Sequence, residues 1–102
     1  MDWYNYPAAF FAGAFLANAI PHFTHGISGN KFPSPFSKPP GKGLSSPTVN
    51  VLWAMFNFIV GYLLFGAGHI NSAQPLPVII FFVGATVMSI MLSINFQKKE
   101  KE

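Results

Sequence analysis

A chain of 102 residues that is 51% hydrophobic and only 9% charged falls far below the roughly 25% charge of an ordinary soluble domain. Six lysines and three acids give a formal charge of +3, and there is no cysteine, which excludes disulfides, thiolate metal sites and thiol nucleophiles. The acids are Asp2, Glu100 and Glu102, so no interior carboxylate serves acid–base chemistry and no enzyme activity is expected.

The charges are also unevenly placed. Between Asp2 and Lys31 lie 28 residues without Asp, Glu, Lys or Arg, and between Lys42 and Lys98 lie 55 more. In water those stretches would expose an apolar patch well beyond the few hundred Å² that soluble monomers tolerate. A spanning helix needs about 20 mainly apolar residues to cross roughly 30 Å of hydrocarbon, and the two blocks have room for three. The expected fold class is therefore an all-α membrane protein, a single integral membrane domain over residues 1–102 with three transmembrane helices at about 5–25, 47–69 and 76–97. The N-terminal "MDWYNYP" has an acid and no basic segment, so a cleavable signal peptide is not expected.

The first helix is the awkward one. Stopped before Pro21 it is too short to span, so it is expected to continue through Pro21 with a kink, as far as about His25, with Gly26 just beyond its end. Trp3, Tyr4 and Tyr6 at its start suit an interfacial aromatic belt. Ala9, Gly13 and Ala17 offer small-xxx-small spacing for a close helix contact.

Residues 26–46 form a connection rich in proline and lysine, reading "GNKFPSPFSKPPGKGLSS" over 29–46. Its proline spacing shows no helical or strand period. It should be extended, partly polyproline-like, and laid along the membrane surface. Phe32 and Phe36 are expected to dip into the interface while Lys31, Lys38 and Lys42 meet anionic lipid headgroups. Docking of "PSPFSKPP" into an aromatic groove of a partner is the other reading.

The second helix starts cleanly, with Ser46 as N-cap and Pro47 in the first turn. Asn50, Ala54, Asn57, Gly61 and Gly68 fall on one face of a 3.6-residue period, so that face should be buried against protein. The third helix begins near Pro75 or Pro77 and ends at the tail, residues 98–102, "KKEKE". Its expected contact stripe is Ala85, Ser89 and Ser93.

Lysine sets the orientation. The 26–46 connection and the tail hold all six lysines, and three helices put both on the same side. They are expected to be cytoplasmic, in the plasma (inner) membrane, with the N-terminus outside.

Asn18, His22 and His25 share one face of the first helix, in the same half of the bilayer as Asn50. The simplest role for the two histidines is bonding to carbonyls at the helix end. A substrate or proton path, or a metal or haem site at His22 and His25, are the alternatives. His-x-x-His alone specifies neither, no Asp, Glu or Cys lies near, and His69, expected to cap the second helix, is a bilayer away. No cofactor is expected.

These features point first to a small polytopic membrane protein acting through helix–helix association, as a homo-oligomer or as accessory subunit of a larger membrane complex. The residues for packing are Asn18, His22, His25, Asn50, Asn57 and Gly61, and the Asn57 and Gly61 face is expected to dock on the partner. The alternative is an oligomeric pore or carrier for a small solute, lined by Asn18, His22, Asn50 and Asn57. A haem- or metal-binding membrane protein comes third. The expected partners are the lipid bilayer, anionic headgroups and other membrane chains; no nucleic-acid motif is present.

Overall fold

The computed structural model describes residues 2–71 and 73–99, so residues 100–102 of the expected tail lie outside the described residues. It contains three helices: α1 is Asn5–Ile27, α2 is Pro47–Ala67 and α3 is Pro75–Phe96. Each boundary lies within two residues of the sequence expectation. The expected start of α2 is confirmed in detail, with the Ser46 hydroxyl accepting from the Val49 N–H at 3.1 Å and Pro47 in the first turn. α1 continues through Pro21 to Ile27.

α1 is the middle helix and packs on both of the others. It runs antiparallel to α2, because Asn5 Nδ2 donates to the Ala67 carbonyl at 2.7 Å while Gly26 lies against Pro47 and Val51. It runs parallel to α3: Gly13 meets Phe81 and Ala85, and His22 meets Phe96. α2 and α3 touch through the rings of Phe65 and Phe81, 5.4 Å apart. The bundle measures 46 × 23 × 19 Å.

The reason for this order is side-chain size. α1 contributes Ala9, Ala12, Gly13, Ala14, Ala17, Ala19 and Gly26 to the interior, small residues on more than one face that let two helices approach its backbone at once. α2 and α3 present large apolar groups outward instead. Leu52, Tyr62, Phe82 and Ile90 are each more than half exposed, Tyr62 at 75%.

Of the three expected spans, two are matched by helices long and apolar enough to cross a membrane, α2 and α3. α1 has the length, 23 residues or about 35 Å at 1.5 Å each, but not the hydropathy. Its alanines, glycines, Asn18, His22 and His25 suit burial between helices better than contact with an apolar solvent.

The contact face of α3 matches expectation only at Ala85, which meets Gly13. Pro77 and Gly84 are its buried residues, while Ser89 and Ser93 are exposed and Ala85 half-buried. The Ser89 hydroxyl donates to the Ala85 carbonyl at 2.7 Å and Thr86 to the Phe82 carbonyl at 2.8 Å. A hydroxyl satisfied on its own helix has no need to face a neighbour.

The connection is the largest departure. It is not a surface strap but a folded cap on one end of the bundle. Phe32 and Ser45 exchange backbone hydrogen bonds of 3.2 and 2.9 Å, and their neighbourhood is closed by a Ser34–Ser45 hydroxyl contact of 2.6 Å. Ser37 donates to the Ser34 carbonyl at 2.7 Å, which also accepts from the Gly41 N–H at 2.9 Å. Asn95 Nδ2 reaches the Gly41 carbonyl at 3.1 Å and ties the cap to α3. Proline-rich backbone has few N–H donors, so serine hydroxyls do much of the bonding. Phe32, expected at the interface, is instead 4% exposed under the cap; Phe36 is 65% exposed.

Candidate functional site: a polar layer under the cap

The asparagine stripe of α2 and the histidine face of α1 meet each other inside one chain. Asn50, Ala54, Asn57 and Gly61 are buried, and a Cβ on Gly61 would press on the Leu16 side chain. The face expected to dock on a partner chain is therefore covered by α1.

At its centre, His22 Nδ1 lies 2.8 Å from Asn50 Oδ1. Asn50 Nδ2 is committed to the Phe32 carbonyl at 2.8 Å and the Ser46 carbonyl at 3.1 Å. That fixes which end of the amide faces the imidazole. Since Oδ1 can only accept, Nδ1 carries the proton and donates to it, and Nε2 holds the free lone pair of the neutral ring.

The next layer toward the bundle centre follows the same logic. Asn57 Nδ2 donates to the Trp53 carbonyl at 2.8 Å, so its Oδ1 accepts from Asn18 Nδ2 at 2.9 Å. Asn18 Oδ1 then has no partner among the described residues. An amide has both a donor and an acceptor, and at Asn57 its own helix takes only the donor. The acceptor needs a second helix, which is why these residues specify α1–α2 pairing where serines do not.

Rings surround the histidines. His25 stacks on Phe32 with centroids 4.2 Å apart and planes 10° from parallel. Phe32 meets Phe96 edge-on at 4.6 Å, and His22 meets Phe32, Phe96 and Trp53 at 5.5, 6.0 and 6.3 Å. Trp53 Nε1 is buried without a hydrogen-bond partner among the described residues. His25 is thus held by stacking on Phe32, not by bonding to helix-end carbonyls through a described contact.

A cavity of about 330 Å³ lies under the cap, lined by Asn18, His22 and Trp53, by Leu92, Asn95 and Phe96 of α3, and by Pro33, Ser34, Pro35, Pro40 and Gly41 of the connection. A larger apolar groove, of about 480 Å³, on the outside of α2 is formed by Phe36, Val49, Leu52, Trp53 and Phe56.

His69 stands apart. It follows α2 at the far end, exposed, with φ of +51° and its backbone N–H bonded to the Gly66 carbonyl at 3.1 Å. It ends the helix through its backbone. Among the described residues no group of three metal-ligating side chains comes together.

Lys31, Lys38 and Lys42 are exposed on the cap. The cap and the end of α3, with Lys98 and Lys99, share one end of the bundle, as the Asn95–Gly41 bond requires. Sequence reasoning missed Asn5, Trp53, Asn95 and Gly84. An asparagine at the start of the first helix and another at the end of the third were the available signals for Asn5 and Asn95. No family model, no curated protein and no solved structure matches this chain.

Proposed function

We propose that this chain is a three-span integral membrane protein that works by association within the bilayer, as a homo-oligomer or as a small accessory subunit of a larger membrane complex. The observation that carries the reading is the inverted distribution of polarity. Hydrogen-bonding side chains close on one another inside the bundle, and α2 and α3 turn large apolar groups outward. Lipid or another apolar chain is the solvent such a surface fits. α1 crosses as the shielded middle helix, so its low hydropathy is no obstacle.

Association is supported by the residues the fold leaves unused. Ser89 and Ser93 lie exposed on α3, one turn apart and beyond Ala85, a spacing that permits close helix approach in lipid. A solute path has less support, because Asn18, His22, Asn50 and Asn57 are bonded to each other within one chain. The lysine-bearing end faces the cytoplasm of the plasma (inner) membrane, with the cap lysines against anionic headgroups and the N-terminus outside.

The test uses the absence of native cysteine. Ser89→Cys, oxidised in native membranes, should form a disulfide-linked species, either a dimer or a conjugate with a second chain that mass spectrometry identifies. A chain that stays uncrosslinked at Ser89 and Ser93, and runs as a monomer in mild detergent, overturns the association reading.

A further inference from the structure

We propose that the cavity under the cap is a binding site for a small neutral aromatic alcohol, a molecule of the phenol class, held by a hydrogen bond from its hydroxyl to His22 Nε2. The proposal does not depend on whether the chain associates with others.

The polarity of the site is set by its neighbours. His22 is 2% exposed, and its Nδ1 proton is spent on Asn50 Oδ1, which cannot rotate away while Asn50 Nδ2 holds the Phe32 and Ser46 carbonyls. Nε2 is left as an acceptor with no partner among the described residues, on a side chain that lines the cavity. Asn18 has spent its amide donor on Asn57, and Asn95 has spent its own on Gly41. Both line the same cavity with an acceptor oxygen remaining. Asn18 and Asn95 are only half-buried, so the two groups that most need a partner are the Nε2 acceptor of His22 and the buried, unpartnered Nε1 donor of Trp53 on the same wall. A hydroxyl, which both donates and accepts, is the group that matches them.

Shape and charge narrow the class further. Trp53, Phe96 and the prolines of the connection supply flat apolar walls, which favour an aromatic ring. The cavity is lined by no ionised side chain, which disfavours an anion or a metal ion. Lys31, Lys38 and Lys42 on the same cap disfavour an organic cation. The volume of about 330 Å³ lies within the range of small-molecule sites.

Phenol is the probe, toluene its counterpart without the hydroxyl, and the full chain in detergent the receptor. Calorimetry should show saturable phenol binding at least about tenfold tighter than toluene, the ratio expected when one hydrogen bond to a buried acceptor is lost. Leu92→Trp, which fills the cavity and leaves every polar group in place, should abolish the signal while helicity is retained. Because His22→Ala could unfold the cap, the histidine is followed in the unaltered sequence: in ¹⁵N-histidine-labelled protein the His22 Nε2 resonance should move upfield on saturation with phenol. Equal binding of toluene, undiminished binding by Leu92→Trp, or an unmoved Nε2 resonance would each overturn the proposal.

Discussion

Gly13 of α1 and Gly84 of α3 make matching close approaches, each to the backbone of the opposite helix. A Cβ on Gly13 would overlap the Phe81 carbonyl, and a Cβ on Gly84 would overlap the Phe10 carbonyl. Both obstacles are backbone, so neither can swing aside as a flexible side chain would. This pair sets the distance between the two parallel helices and places Phe96 and Asn95 over the histidine layer.

Gly84→Ala should therefore lower stability by about 1–3 kcal/mol, as overpacking of a close contact does. Chemical unfolding in detergent followed by circular dichroism measures it. Gly66→Ala is the control, since a Cβ there meets nothing within 4 Å. Helix propensity alone makes Gly66→Ala neutral or stabilising by up to about 1 kcal/mol, so an equal loss at both positions would show that contact distance is not what is being read.

The Asn18–Asn57 bond of 2.9 Å is the second quantity open to measurement. Asn18→Ala and Asn57→Ala should each destabilise by about 1–2 kcal/mol, since each leaves its partner unsatisfied. The double variant should lose less than the sum, by roughly 0.6 kcal/mol, the mean coupling found for hydrogen bonds between membrane helices. Strict additivity would mean that the two amides are solvated independently.

His69 occupies the left-handed region with φ of +51°, where a Cβ is unfavourable and glycine is the usual residue after a helix. His69→Gly should raise stability by roughly 1 kcal/mol in the same assay. A loss would reveal a side-chain role that the exposed position does not suggest.

The proposed three-span topology makes its own prediction. Single cysteines at Lys42 and Gln97 should be labelled from one side of the membrane by an impermeant maleimide, and one at Gln74 from the other. Labelling of Lys42 and Gln97 from opposite sides would reduce the number of spans between them to one.

Much of the fold is legible without coordinates. Ser46, Pro47 and Pro75 mark helix starts through backbone chemistry that acts locally, and the face of α2 follows from Asn50, Asn57 and Gly61 recurring at the helical period. The α3 face is not legible in the same way. Ser89 and Thr86 satisfy their hydroxyls on their own helix, so their polarity carries no information about burial, and the glycine that matters, Gly84, is silent until a carbonyl is seen against it.

The candidate site divides along the same line. Sequence by itself determined that Asn18, His22 and His25 share a face and lie at the level of Asn50, because helical geometry repeats from residue to residue. Only the tertiary structure decided that these groups spend their hydrogen bonds on each other, that Phe32 lies beneath a folded cap, and that His22 keeps a lone pair over a cavity. Those outcomes depend on which group lies opposite which across two helices and a connection, and spacing along one chain holds no record of that.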